Sequence, residues 1–140
     1  MTLQEFYISS EYQNVAGVCL GIKDFLKKKN LTDDLCARIE ICLNEALNNV
    51  IKHAYRERPG NDIHIHAVHQ PDLIEIEIRD NGLPRVTFKK PALDFDPSDI
   101  QNLPESGMGL FIISQIMDEI VYSNENGVNV FRMKKKLIQA

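Results

Sequence analysis

Two runs of strict alternation lie side by side in the middle of the chain. Ile63, Ile65 and Ala67 alternate with His64, His66 and Val68; across Gln70-Pro71-Asp72, Ile74, Ile76 and Ile78 alternate with Glu75, Glu77 and Arg79. A period of two gives each strand one packed face and one wet face. The pair therefore reads as a hairpin whose isoleucine side needs a cover. Antiparallel pairing that keeps the isoleucines together sets His66 opposite Glu75 or Glu77.

Helical segments on both sides supply the cover. From about Glu11 to Asn30, Val15, Val18, Ile22, Phe25 and Leu26 recur at helical spacing, and Asn30 is a natural stop. Thr32 then precedes Asp33 and Asp34, an N-cap followed by first-turn acids, and the second helix runs to about Arg56, before Pro59-Gly60. Gly107 opens a third helix with Leu110, Ile113, Ile116 and Met117 on one side. Thr2–Ser9 reads as a strand, and Ile120–Asn124 with Val128–Lys134 as a second hairpin around Glu125-Asn126-Gly127. Between them, Leu83–Ser106 has no period and contains Pro84, Pro91, Pro97 and Pro104. Such a stretch inside a compact domain is usually functional. The order β-α-α-β-β-lid-α-β-β predicts an α+β fold. It is a two-layer sandwich with helices on one face of a mixed, largely antiparallel sheet, and residues 83–106 as a lid. At 140 residues and 44% apolar composition this is one domain, 1–140.

The balance of 16 basic and 20 acidic residues gives no general electrostatic reason to bind nucleic acid or an acidic membrane. No apolar run approaches the roughly 18 residues of a membrane helix, and MTLQEFYISS lacks the basic start and apolar core of a secretory signal. The expected location is the cytoplasm. Cys19, Cys36 and Cys42, odd in number and without a Cys-x-x-Cys pair, read as buried thiols.

Three stations carry chemistry. At 100° per residue, Glu45, Asn49, Lys52 and Arg56 share one stripe of the second helix. The opposite stripe, Ile39, Leu43, Ala46, Leu47, Val50 and Ala54, is core. A carboxylate, an amide oxygen and two cations could serve a base, a hard metal ion and phosphates; alone, the stripe is an ordinary solvated helix face. Asp80-Asn81-Gly82 follows the strand ending at Arg79. It is common turn chemistry, yet a carboxylate at a strand end can accept from an exocyclic amine, with Gly82 leaving room for a flat ring. Ser106-Gly107-Met108-Gly109 precedes a helix, where backbone N–H groups and the helix dipole favour an anion.

In this order and spacing the stations resemble the ATP-binding fold shared by DNA gyrase, heat-shock chaperones, histidine kinases and mismatch-repair ATPases. Within that superfamily they resemble the bacterial anti-sigma-factor serine/threonine kinases. The resemblance rests on Asn44-Glu45-Ala46-Leu47-Asn48-Asn49-Val50-Ile51-Lys52-His53-Ala54-Tyr55, on Asp80-Asn81-Gly82, and on Gly107-Met108-Gly109-Leu110-Phe111 with Met117-Asp118-Glu119 downstream. It implies ATP with Mg²⁺ as cofactors. Asn49 would present its oxygen to Mg²⁺, and Glu45 would be the general base toward a serine or threonine hydroxyl. Asp80 would read the adenine amine. Gly82, Gly107 and Gly109, with Met108 and Leu110, would line the nucleotide, and Lys52 would help to neutralise phosphate. The implied partners are a sigma factor and an anti-anti-sigma antagonist; a homodimer is also suggested. Related sequences often place a short hydroxyl residue on the last strand near adenine. Here that stretch is Asn129 to Arg132, and no contact is assigned to it; Lys89 and Lys90 of the lid match no phosphate ligand.

Three other readings stand beside this one. A non-enzymatic module could bind its partner with ATP as a structural ligand; Glu45 next to Asn49 favours the kinase, since binding alone needs no base. A histidine kinase would need a phosphoacceptor histidine on a separate helical hairpin, whereas His53, His64, His66 and His69 all lie within this domain. His64 and His66, two apart on one strand face, have workable metal-ligand spacing, but on a wet face with glutamates opposite they read as surface histidines.

Overall fold

The computed structural model describes residues 1–85 and 108–137. Five strands form one sheet in the order β1-β2-β3-β5-β4: β1 Thr2–Ser9, β2 Asp62–Gln70, β3 Leu73–Asp80, β4 Glu119–Glu125 and β5 Val128–Lys136. Helices α1 Val15–Lys28, α2 Asp33–Asn49 and α3 Met108–Ile116 form the second layer, with α2 packed between α1 and α3. This is the α+β sandwich read from the sequence, with one correction. The sheet is not mixed: every hydrogen-bonded pair is antiparallel. Two helices connect β1 to β2, and β2 returns antiparallel to β1. The single crossing through α3 brings β4 back parallel to β3, but β5 inserts between them.

The hairpin keeps its predicted register. Ile65 pairs with Ile78, Ala67 with Ile76, and His66 with Glu77. Ile63, Ile65, Ile74, Ile76 and Ile78 are buried against Ile22, Leu26, Ile39, Leu43, Leu47 and Ile113 from the helices. Full burial of each such side chain is worth about 1.5–3 kcal/mol, which is why register and layer order are fixed together. The wet face is less wet than alternation implies. Glu77 is only 7% exposed, because Arg132 on β5 donates to it at 2.9 Å and Arg79 also ion-pairs with it. Burial opposes its ionisation, but the two guanidinium groups win and hold its carboxyl below the usual range. On the same face His64 stacks on Tyr7, with ring centroids 4.2 Å apart, and its Nε2 lies 3.7 Å from Glu5.

Helix ends follow local chemistry. Thr32 Oγ1 accepts from the Leu35 N–H at 3.2 Å, with Asp33 and Asp34 in the first turn, a cap worth about 1 kcal/mol. Asn30 adopts φ 64° and stops the chain leaving α1. That helix begins at Val15, after a 3₁₀ turn at Tyr12–Asn14, rather than at Glu11. Asn126 and Gly127, at φ 54° and 84°, make the tight turn between β4 and β5. Cys19, Cys36 and Cys42 are buried free thiols, and burial pushes Cys42 up to about 12.

The second helix departs most from expectation. It does not continue as an α-helix to Arg56; Val50–Ala54 is a π turn, and Arg56 and Glu57 follow at φ 52° and 63°. A π turn carries an extra residue, so the uniform 100° stripe ends at Asn49. Most of the segment anticipated as a lid, from 86 to 106, lies outside the described residues, as does Gly107.

Candidate nucleotide site

A cleft opens between the end of α2, the π turn and the β3–β5–β4 end of the sheet. Asn49, Val50 and His53 line it from the helix. Asp80, Asn129, Tyr122 and Phe131 line it from the strands, and Leu110 of α3 adds an apolar wall.

The π turn decides which side chains reach this cleft. Widening after Asn49 brings His53 into the lining, while Lys52 is exposed and is not among the cleft-lining residues; with Arg56 and Glu57 it borders an adjoining surface depression that shares His53 with the cleft. The predicted stripe of Glu45, Asn49, Lys52 and Arg56 is thus divided: its first two members stay at the cleft end of α2, and its cations leave. His53 belongs to the motif that carries the family resemblance, but the sequence assigns it no role in the site. Burial, reinforced by Arg85 and Lys52, lowers its pKa.

The end of the π turn bonds the loop after β3. Ala54 O accepts from the Leu83 N–H at 2.8 Å, and the Tyr55 hydroxyl accepts from the Asn81 N–H at 2.8 Å. The Asp80-Asn81-Gly82 loop is therefore fastened to the end of α2. Gly82 is required for that fit: a Cβ there would lie 2.5 Å from the Ala54 carbonyl oxygen.

Asp80 ends β3 at 5% exposure. Its Oδ1 accepts from the Gly82 N–H at 2.9 Å and from Asn129 Nδ2 at 2.8 Å. Burial raises its pKa, and those two donors pull against the rise. Asn129, left without a contact by the sequence reading, is 2% exposed and also bonds Gly82 O and Leu83 O.

Gly109 brings the third station to the first. A Cβ on it would stand 2.7 Å from Glu45 Oε2 and 3.4 Å from Asn49 Nδ2. The first turn of α3 is thus pressed on the carboxylate and the carboxamide that α2 presents one turn apart. Met108 is the first residue of α3. Glu45 itself sits beside Gly109 and is not among the cleft-lining residues.

These features fit a magnesium-bound adenine nucleotide. Asp80 Oδ2 is an acceptor without a hydrogen-bond partner among the described residues, and the bare backbone of Gly109 packs directly against Glu45 and Asn49, two oxygen-bearing groups that make no hydrogen bond to other described residues. Elsewhere, no cluster of three or more His, Cys, Asp or Glu suited to a metal occurs among the described residues, and none of their helices is long and apolar enough to cross a membrane.

Comparison with known proteins agrees with the geometry. The chain is 28% identical over 134 residues to a protein named serine-protein kinase RsbW from Bacillus mycoides (strain KBAB4), covering 93% of this chain and 82% of the relative. The same values relate it to the RsbW of Bacillus cereus (strain AH187). Among solved structures, the RsbU and RsbW domains of Rv1364c from Mycobacterium tuberculosis superpose with a TM-score of 0.66 at 11% identity. That match covers 96% of this chain and 32% of the other, so this chain spans about a third of it. The SiaB-SiaC complex from Pseudomonas aeruginosa gives 0.63 at 9% identity, over 96% and 89% of the two chains. At such identities the structural likeness speaks for the fold alone. The family model described as histidine kinase-like ATPase domain matches residues 8–135, and the chain belongs to that family.

Proposed function

We propose that this domain is an anti-sigma regulatory kinase. It binds ATP with Mg²⁺, phosphorylates a serine or threonine of an anti-anti-sigma partner, and sequesters a sigma factor when that partner is not engaged. The observation that carries the reading is Glu45 and Asn49, one turn apart on α2, both meeting the backbone of Gly109. Similarity to a serine-protein kinase over 93% of the chain supports it.

In this reading Asp80 accepts a hydrogen bond from the 6-amino group of adenine. Asn49 offers its carboxamide oxygen to Mg²⁺, whose bound charge offsets that of the phosphates. Glu45 takes the proton as the partner's hydroxyl oxygen bonds to the γ-phosphorus and the bond to the bridging β–γ oxygen breaks, leaving ADP. General-base catalysis contributes about 10²–10⁴-fold, and the remainder is positioning and charge neutralisation. The phosphate added to the partner is a near-dianion at a protein interface and disrupts it. The released domain is then free to hold the sigma factor.

Incubation with γ-labelled ATP, Mg²⁺ and an anti-anti-sigma protein of the same genome tests this. Label is expected on a partner serine or threonine and is lost with Glu45→Gln. A stable complex that never takes up label would instead identify an ATP-dependent binding module.

A further inference from the structure

A buried primary amide must place two N–H donors and one carbonyl acceptor. Asn129, on β5, does so across three elements. Its Nδ2 donates to Asp80 Oδ1 at 2.8 Å, Gly82 O at 3.1 Å and Leu83 O at 3.2 Å. Its Oδ1 accepts from the Tyr122 hydroxyl at 2.9 Å and from Asn124 Nδ2 at 2.8 Å. Tyr122 in turn accepts from the Arg85 N–H at 2.7 Å. Each neighbour of the nitrogen is an acceptor and each neighbour of the oxygen is a donor. The amide can stand only one way round.

The consequence falls on Asp80. Its Oδ1 is taken twice, by Gly82 and by Asn129, and this fixes the plane of the carboxylate. Its Oδ2 is left as an acceptor on a residue that lines the cleft. A hydroxyl in place of the amide has one proton to give. It could serve Asp80 or a carbonyl, but not Asp80 and both carbonyls of the loop.

We propose that Asn129 is a specificity-determining positioning residue: by occupying Asp80 Oδ1 it turns Asp80 Oδ2 into a fixed acceptor that selects a 6-amino purine over a 6-oxo purine. This rests on the cleft being a nucleotide site. A 6-amino group donates to Oδ2, whereas a 6-oxo group sets its lone pairs against a carboxylate. A site built for a hydrogen bond rejects the analogue that cannot make it. Without Asn129 the carboxylate is held by Gly82 alone and is free to rotate, so the cost falls on the 6-amino ligand and spares the 6-oxo one.

The test is calorimetric titration of the full chain with ATP and with inosine triphosphate, both with Mg²⁺, in wild type, Asn129→Val and Asn129→Thr. In Asn129→Val, ATP affinity is expected to fall about tenfold, with inosine triphosphate unchanged to within about twofold. Asn129→Thr, which keeps one donor for Asp80, is expected to recover most of the discrimination. Equal losses for both nucleotides, or an unchanged ratio, would overturn the assignment. Wild-type protein that binds neither nucleotide would instead overturn the nucleotide reading itself. Should Asn129→Val fail to fold, the Asn129 side-chain amide resonances of ¹⁵N-labelled wild type decide. They are expected to move more with ATP than with inosine triphosphate, and identical movement would count against the proposal.

Discussion

The two corners of the cleft are built on different terms. Around Asp80 the polar groups are bonded to one another, with Asp80 and Asn129 buried. Asn129, Tyr122, Asn124 and the backbone of Gly82 and Leu83 form one network, and the loop is clasped to the π turn. Around Glu45 and Asn49 a regular helix offers two side chains that make no hydrogen bonds to other described residues, with the bare backbone of Gly109 against them. The contrast suits the two parts of the proposed ligand. A neutral ring brings no charge to organise its pocket, so the pocket must be preformed. Magnesium and phosphates bring charge enough to organise flexible groups on arrival. One corner should therefore fail through the fold, and the other through chemistry.

The largest effect falls on the second corner. Glu45→Gln keeps the shape and removes the base, so phosphoryl transfer should drop by about 10²–10⁴-fold while ATP affinity holds. Single-turnover transfer beside calorimetry reads both. Undiminished transfer would take the base role from Glu45.

The two glycines sharpen the comparison. A methyl at Gly82 meets the Ala54 backbone at 2.5 Å, while one at Gly109 meets the far end of Glu45 at 2.7 Å. Backbone cannot give way cheaply, and a carboxylate can swing. Gly82→Ala should cost about 1–3 kcal/mol of stability in denaturant unfolding. Gly109→Ala lies in a helix, where alanine is favoured by about 0.8–1 kcal/mol, and should unfold no more easily than wild type. Its displaced Glu45 should nevertheless slow transfer by at least about tenfold. If the two variants lost stability equally, the corners would not differ in the way described.

What the sequence revealed follows the same division. The hairpin register, the core stripe of α2 and the pairing of Glu45 with Asn49 rest on regular periods, and regular periods can be read from a single segment. The π turn could not be read that way, because a 100° wheel assumes the very regularity it breaks; Lys52 and Arg56 were placed on the stripe for that reason. Glu77 looked wet because alternation reports a face and not what lies over it, and two arginines cover it. Asn129 was hardest. An asparagine on a strand near a hairpin has no local signal, and its role exists only through Asp80, Gly82, Leu83, Tyr122 and Asn124, which the sheet order brings together. A cue was present: a polar residue in register with Asp80 on the neighbouring strand. It becomes visible only once β5 is known to lie beside β3.

Metal dependence tests the adaptable corner next. If Asn49 gives its oxygen to Mg²⁺, Asn49→Ala should weaken magnesium-bound ATP by about tenfold and magnesium-free ATP by less than about threefold. Fluorescent-nucleotide competition with and without chelator separates the two. Equal losses would make Asn49 part of the cleft wall and not a ligand.

The smallest effect is expected at Lys52. The π turn leaves it exposed, bordering a depression that adjoins the cleft at His53 and outside the cleft lining itself. A charge there acts on phosphates through solvent and is screened over about 8–10 Å at ordinary ionic strength. Lys52→Ala should therefore weaken ATP by no more than about threefold, and the difference should vanish as salt is raised. A larger loss that survives high salt would mean that the lysine swings into contact when nucleotide arrives. The adaptable corner would then extend past the π turn to recover the cation that the turn removes from the α-helical stripe.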